Sequence, residues 1–204
     1  MKLLAFSARS AEVRKYGLAI WIQFYLGLRA GELQALKWED VDLDTGRITV
    51  RRAYIRKTNT FRNHPKGRKQ HSHSLPPELW EKLVQAKAET KSEWIVTSNR
   101  GNILPYRWYL KALKGYCRTL KVPTLGTHGL RHSTSELYIS HGASREDIRA
   151  LFAQSSLKVT ERYLHGKDTN LEKVATVISL FGSTATPKRP QSGSVEKTLK
   201  QEVV

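Results

Sequence analysis

The spacing of apolar residues predicts a helix early in the chain. Apolar side chains recur at i, i+3, i+4, i+7 and i+8, which gathers them on one helix face. They are Leu18, Trp21, Ile22, Tyr25 and Leu26. Gly27 interrupts the pattern, and a second helix is predicted to begin near Ala30 and to carry Leu33 and Leu36.

The pattern then changes to one typical of β-structure. Residues 42–46 favour a turn, and the β-branched and aromatic residues between 48 and 55 favour a strand. A polar hairpin or long loop follows through Lys69, and residues 71–75 are the candidate returning strand. Residues 94–97 are a further short strand candidate.

Most of the remaining chain has helical periodicity. The predicted helices are 77–89, 106–120, a segment around 130–141, one opened by a capping box of Ser144 and Asp147, a short helix over 157–163 and an apolar stripe over 171–178. Beyond residue 181 the periodicity ends, and the polar residues 183–204 predict a disordered tail. The sequence therefore predicts one α+β domain over residues 1–182, mainly helical, with a small antiparallel β-sheet in its N-terminal half.

The chain is strongly basic, which indicates a polyanionic partner. Its 35 Lys and Arg residues outnumber 18 Asp and Glu residues, for a formal net charge of +17. Residues 46–75 contain nine basic residues and no acidic one. We predict nucleic-acid binding, and a ribosomal or merely basic protein is the alternative. The basic residues of this segment predicted to contact nucleic acid are Arg51, Arg52, Arg56, Lys57, Arg62, Arg68 and Lys69.

Cysteine count and hydropathy restrict the cellular setting. The single cysteine, Cys117, excludes an internal disulfide and a cysteine-rich zinc site. It fits a reducing compartment. No apolar run is long enough to span a bilayer, and no signal peptide is recognisable. We therefore expect a cytoplasmic protein that does not insert into a membrane.

Five polar residues at wide intervals could perform phosphodiester chemistry without a metal ion or cofactor. Tyr163 is a candidate nucleophile, but a phenol with a pKa near ~10 is a weak attacker until its target is polarised. Arg29 and Arg131 could each bind two phosphate oxygens through a planar fork. His128 lies three residues before Arg131 at the start of a predicted helix, so both could reach one phosphate. Lys66 could protonate a departing 5′ oxygen.

Three short segments resemble the signature boxes of the tyrosine recombinases, or phage integrases. GLRAGEL (27–33) with LKWEDVD (36–42) resembles their first arginine box, HGLRHS (128–133) the second, and TERYLH (160–165) the nucleophile box. The spacing of 32 residues from Arg131 to Tyr163 also suits this family, and Lys66 matches its hairpin lysine. The resemblance covers roughly residues 10–180, and three boxes in order with a basic hairpin between them make a specific signal.

The resemblance implies a mechanism. Tyr163 would attack a DNA phosphodiester, form a 3′-phosphotyrosine link and release a 5′ hydroxyl; a 5′ hydroxyl of a partner strand would reverse the step without ATP or metal. Arg29 and Arg131 would hold the phosphate, His128 would assist proton transfer and Lys66 would be the general acid. The implied partner is double-stranded DNA of a phage or other mobile element. The implied assembly is a tetrameric synapse of full-length protein on that DNA.

The chain departs from the family pattern at two points. Many members have His or Trp nine residues before the tyrosine, where this chain has Gln154. Glutamine can donate a hydrogen bond to a phosphate oxygen but cannot shuttle a proton, so we expect a functional but slower site. His165 is a weaker candidate for a catalytic role. Members also carry an N-terminal DNA-clamping domain, and because little chain precedes Leu18 we expect that domain to be absent.

Two alternatives remain at this stage. A type IB topoisomerase uses related chemistry, although those enzymes tend to have lysine where this chain has His128. A catalytically weakened DNA-binding regulator is supported only by Gln154. At the level of single residues, Tyr163 could be an ordinary core tyrosine, and Arg29 could be a helix-surface arginine paired with Glu32.

Overall fold

The computed structural model describes residues 2–7, 11–65 and 70–152. Those residues form seven α-helices and five β-strands. The helices are α1 (Lys2–Ser7), α2 (Ala11–Leu26), α3 (Ala30–Gln34), α4 (Pro77–Glu89), α5 (Tyr106–Thr119), α6 (Thr127–Ser140) and α7 (Arg145–Leu151). The strands are β1 (Val41–Asp42), β2 (Arg47–Val50), β3 (Ala53–Ile55), β4 (Thr60–Arg62) and β5 (His71–Ser74). The predicted mainly helical α+β fold with a small antiparallel sheet is confirmed.

Helix α2 lies at the centre of the described structure. It contacts α1, α3, α4, α5 and α6. Ile20 and Ile22 are completely shielded from solvent and Leu26 almost so, although they do not lie on one face. A helix that is apolar around most of its circumference needs neighbours on every side, and the other helices supply them.

Buried hydroxyl groups of α6 cap the C-terminal end of α2. The last carbonyls of a helix have no partner within it, so a buried helix end needs donors from elsewhere. The Thr134 hydroxyl donates to the Phe24 carbonyl at 2.8 Å, and the Tyr138 hydroxyl donates to the Tyr25 carbonyl at 2.7 Å. These bonds fix the position of α6 along the end of α2.

The β-structure consists of two small antiparallel units. β1, β2 and β5 form a sheet in the order β1-β2-β5, and β3 pairs with β4 in a separate ribbon. The sequence predicted a continuous strand over 48–55, which is wrong because the chain leaves the sheet at Arg51 and Arg52. Both side chains pair with Asp40, at 3.5 and 2.9 Å, and the Asp40 side chain is only 1% exposed. The buried carboxylate therefore holds the bend that separates β2 from β3.

The strand predicted at 94–97 is also wrong. Trp94 and Thr97 make only isolated bridges, to Lys37 and to Ile103. The two residues between them, Ile95 and Val96, are buried in the core. Their apolar character reflects core packing rather than membership of a sheet.

The helix predictions that fall on described residues agree with the structure, except that α3 ends at Gln34 and does not include Leu36. α4 has the predicted bounds, α5 ends one residue earlier than predicted, and the capping box of Ser144 and Asp147 opens α7. Cys117 is buried in α5. The predictions for 157–163, 171–178 and 183–204 lie outside the described residues.

Gly27 joins α2 to α3 in a conformation that favours glycine. Its φ of +58° lies in the left-handed region, and a Cβ at this position would overlap the ring of Phe152. The tight turn lets the Phe152 ring pack directly against the backbone at the end of α2.

We predict that Gly27→Ala destabilises the protein by about 3 kcal/mol, because it combines positive-φ strain with displacement of an aromatic ring. Gly101→Ala is the matched control, since Gly101 has φ +74° but open space around it, and its expected cost is about 1 kcal/mol. Equilibrium denaturation measures both. Equal losses of unfolding free energy would contradict the close packing of Phe152 on Gly27.

Candidate active site and DNA-binding surface

Arg131 is a buried cation fixed by contacts to two distant segments. It lies in the second turn of α6 and is only 7% exposed. Its guanidinium donates to the Gly27 carbonyl through Nη1 and to the Phe152 carbonyl through Nη2, the latter at 3.0 Å. The guanidinium carbon also lies 4.0 Å from the centre of the Phe152 ring. One side chain therefore ties α6 to the end of α2 and to the end of α7.

The surroundings of Arg131 disfavour its charged form. Burial, followed by the charge of Arg29, lowers its pKa to about 10, while Glu32 acts in the opposite direction. The group remains protonated near neutral pH. The charge of Arg29 disfavours the charged form of Arg131, and an anion near both groups would offset that effect.

Arg29 is held at the start of α3 by Glu32. Its backbone N–H donates to Glu32 Oε2 at 2.9 Å, and its Nη1 lies 3.0 Å from Glu32 Oε1. The predicted pairing with Glu32 is present, but it is not a simple surface ion pair. The Glu32 side chain is buried, at 2% exposed, and that of Arg29 is 26% exposed. A buried carboxylate therefore fixes the orientation of Arg29 and leaves part of the guanidinium accessible.

His128 occupies the first turn of α6, one helical turn before Arg131, and is exposed. Of the predicted catalytic residues, Arg29 is thus near enough for its charge to lower the pKa of Arg131, and His128 lies on the helix that carries Arg131. The other predicted catalytic residues lie outside the described part of the chain: Lys66, Gln154, Tyr163 and the weaker candidate His165.

The basic residues predicted to bind nucleic acid have different partners within the protein. Arg52 pairs with Glu39 at 2.6 Å and with the buried Asp40, which Arg51 also approaches. Arg62 Nε donates to the His64 carbonyl at 3.1 Å. Arg56 stacks on an aromatic ring, Lys57 is exposed in the turn between β3 and β4, and Arg68 and Lys69 lie outside the described residues.

Helix α5 presents a second basic surface, which the sequence analysis missed. Four exposed cations recur at intervals of four, three and four residues, so that they lie along one face: Arg107, Lys111, Lys114 and Arg118. No acidic residue occurs between Glu93 and Glu136. Trp108 lies beside this face with 60% of its surface exposed. The helical spacing and the acid-free segment were both readable in the sequence.

His73 is a second buried basic group near Arg131 that sequence reasoning did not single out. It lies in β5, is 1% exposed, and neither of its ring nitrogens has a hydrogen-bond partner in the described structure. Burial, and then the charges of His71 and Arg131, lower its pKa from 6.5 to about 3. His73 is therefore neutral in the folded protein throughout the physiological range.

Comparison with known proteins identifies the family. The family model described as "Phage integrase family" matches residues 1–170. The chain belongs to the phage integrase family. It is 28% identical over 176 residues to the putative prophage phiRv2 integrase of Mycobacterium tuberculosis, covering 80% of this chain and 46% of that protein. It is 31% identical over 154 residues to tyrosine recombinase XerA of Thermococcus kodakarensis, covering 72% of this chain and 49% of the relative.

Solved structures with the same fold include two integrases. The Tn1549 transposon integrase in complex with transposon right end DNA has a TM-score of 0.66 and 17% identity, covering 88% of this chain and 63% of that chain. The integrase from mycobacterium phage Brujita has a TM-score of 0.66 and 20% identity, covering 91% and 57%. The chain spans about half the length of the curated relatives that it matches. Integrase and recombinase relatives do not favour the topoisomerase or regulator alternatives.

Two features are absent from the residues that the structure describes. None of their helices combines the length and apolar character that crossing a membrane requires. Nor do they contain a cluster of three or more His, Cys, Asp or Glu side chains suited to holding a metal ion.

The buried His73 gives a prediction about acid stability. Between about pH 6.5 and the folded-state pKa of about 3 the unfolded chain binds a proton that the folded protein does not, so stability falls as the pH falls. From about pH 7.5 to about pH 5 this one group should cost about 2 kcal/mol of unfolding free energy. His73→Phe should flatten that part of the pH profile, measured by urea denaturation. His132→Gln, a change at an exposed histidine, is the control, and an unchanged profile for His73→Phe would contradict the assignment.

Proposed function

We propose that this chain is the catalytic domain, over residues 1–182, of a site-specific DNA recombinase or integrase. The reaction is metal-independent cleavage and rejoining of DNA strands through a 3′-phosphotyrosine intermediate. The observation that carries the proposal is a buried guanidinium, that of Arg131, fixed by the Gly27 and Phe152 carbonyls. Arg29, whose charge acts on Arg131, is fixed by one carboxylate, that of Glu32. This excess of positive charge suits a phosphodiester.

The paired guanidinium groups suit the transition state better than the ground state. A diester phosphate carries one negative charge, and the pentacoordinate phosphorane formed by nucleophilic attack carries more on its equatorial oxygens. Cations held in place before the reaction therefore bind the phosphorane more strongly than the substrate, which lowers the barrier. Arg131 is held by two carbonyls and Arg29 by Glu32, so little reorganisation is needed.

The remaining steps are assigned to side chains by the family pattern. The Tyr163 phenolic oxygen bonds to phosphorus as the bond to the 5′ oxygen breaks, and its proton leaves with assistance from His128. Lys66 protonates the departing 5′ oxygen. Gln154 donates a hydrogen bond to a phosphate oxygen in place of the usual His or Trp. In the second step a 5′ hydroxyl attacks the phosphotyrosine, restores the diester and releases Tyr163.

A covalent adduct tests this proposal. On a nicked duplex from the DNA flanking the element that encodes the chain, the protein should form an adduct that survives denaturing electrophoresis, and Tyr163→Phe should form none. Arg131→Lys should slow adduct formation about a hundredfold or more, because lysine loses the planar fork at a bidentate site.

Two measurements accompany the adduct assay. Thermal unfolding of Arg131→Lys separates loss of catalysis from loss of the bonds to Gly27 and Phe152. DNA binding by the unmodified chain establishes that substrate is present. Absence of an adduct from DNA that is demonstrably bound would refute the proposal and favour a DNA-binding regulator.

DNA would be bound over a basic surface that includes α5 and the β3–β4 ribbon. The α5 cations lie on one exposed face without interspersed carboxylates, as expected for contact with a phosphate backbone. The partner is double-stranded DNA of a mobile element, with assembly into a tetrameric synapse by the full-length protein. The single cysteine fits the reducing cytoplasm as the site of action.

We predict that replacing Lys111 and Arg118 together by Gln makes the dependence of log Kd on log salt concentration shallower by about two, because two phosphate contacts are lost. Fluorescence anisotropy with labelled duplex DNA measures it. Lys82→Gln is the control. Lys82 lies on α4, which has three Glu and two Lys and so is not a basic surface, and its ammonium group packs over the Trp21 ring. A salt slope that does not change in the double variant would remove α5 from the DNA-binding surface.

A further inference from the structure

Arg56, Tyr106 and Thr127 meet where three elements converge. Arg56 follows β3, Tyr106 is the first residue of α5, and Thr127 is the first residue of α6. The Arg56 guanidinium carbon lies 3.6 Å from the centre of the Tyr106 ring. The Tyr106 hydroxyl lies 3.3 Å from Thr127 Oγ1, and Thr127 is 6% exposed. A phenol therefore connects the β3–β4 ribbon to the helix that carries His128 and Arg131.

Stacking restrains Arg56 without using all its hydrogen-bond donors. A guanidinium that lies over an aromatic face keeps most of the N–H groups in its plane available for phosphate oxygens. The Arg52 guanidinium, by contrast, forms ion pairs with Glu39 and the buried Asp40. Arg56 is an exposed residue, so its remaining N–H groups can reach a ligand from solvent.

The charges around Tyr106 also favour an anion. Burial raises its pKa, but the contacts with Thr127 and Arg56, together with the charges of Arg56 and Lys114, more than offset burial and leave the pKa below its ordinary value. A positive field strong enough to stabilise the phenolate will also stabilise a phosphate nearby.

We propose that Arg56, held on Tyr106, forms a binding site for a DNA backbone phosphate other than the one that is cleaved. Tyr106 is a positioning residue at this site, because its ring holds Arg56 by stacking and it acts on the phosphate through that arginine. The inference rests on the proposed function for its ligand, a phosphodiester of double-stranded DNA. It gives Tyr106, which no sequence motif distinguishes, a specific role.

A double-mutant cycle on binding tests the site without requiring cleavage. The probe is a labelled duplex DNA of mixed sequence, with Kd measured by anisotropy over a series of salt concentrations. Arg56→Gln should make the salt slope shallower by about one, because one phosphate contact is lost. Tyr106→Leu should weaken binding about threefold to tenfold when Arg56 is present. In the Arg56→Gln background the same substitution should change Kd by less than about twofold.

Matched variants separate positioning from folding. Tyr106→Phe keeps the ring under Arg56 and should bind DNA within about twofold of the unmodified chain. Arg56→Lys keeps the charge and loses the planar stack, so it should retain the salt slope but bind more weakly. If thermal unfolding shows that Tyr106→Leu does not fold, the comparison of Arg56→Gln with Arg56→Lys provides the test. The Lys82→Gln variant again controls for the loss of one charge.

The inference is overturned if Tyr106→Leu weakens binding equally in both backgrounds, if Arg56→Gln leaves the salt slope unchanged, or if Arg56→Lys binds as tightly as arginine. These outcomes differ from failure of the proposed function. A chain that forms no phosphotyrosine adduct but shows the coupled effect of Arg56 and Tyr106 on binding would retain this phosphate site and lose the recombinase reaction.

Discussion

The hydrogen bond from Arg131 to the Gly27 carbonyl is the interaction on which the candidate site depends. It belongs to a set in which α6 caps the end of α2, with Thr134 and Tyr138 supplying the others. Because a buried helix end needs donors, satisfying the backbone of α2 draws a guanidinium into the interior. Arg29 follows Gly27 by two residues, so the same turn puts the second guanidinium nearby. The packing of the fold therefore fixes the two arginines of the candidate site.

Arginines in this protein differ in how far nearby carboxylates neutralise their charge. Arg52 is matched by Glu39 and Asp40, and these pairs shape the backbone between two strands. Glu32 pairs with Arg29 and favours the charged form of Arg131, so within the described residues one carboxylate serves two guanidinium groups. Uncompensated positive charge is costly in an empty site and becomes favourable when a phosphate arrives. This contrast separates structural arginines from candidate catalytic ones more sharply than their positions in the sequence do.

Helices and strands were predicted correctly where the local sequence signals were strong. The predictions were wrong where contacts between distant residues determine the backbone conformation. Proline at the first position located the start of α4 correctly. The division between β2 and β3 depends on Asp40, a residue distant from the strand pattern, and so was not predictable from that pattern. The motifs named Arg29 and Arg131, but burial of Arg131 follows from packing at Gly27 and Phe152. The basic face of α5 was predictable from the spacing of its four cations, since helical periodicity alone puts them on one side.

The most direct measurement of the central claim is a crystal structure of the chain with nicked duplex DNA and vanadate, which adopts the geometry of the phosphorane. The account predicts that Arg29 and Arg131 both donate, within about 3 Å, to equatorial oxygens of one vanadate, and that the Tyr163 oxygen is an axial ligand. Binding of the two guanidinium groups to different phosphates, or vanadate bound away from Tyr163, would contradict it.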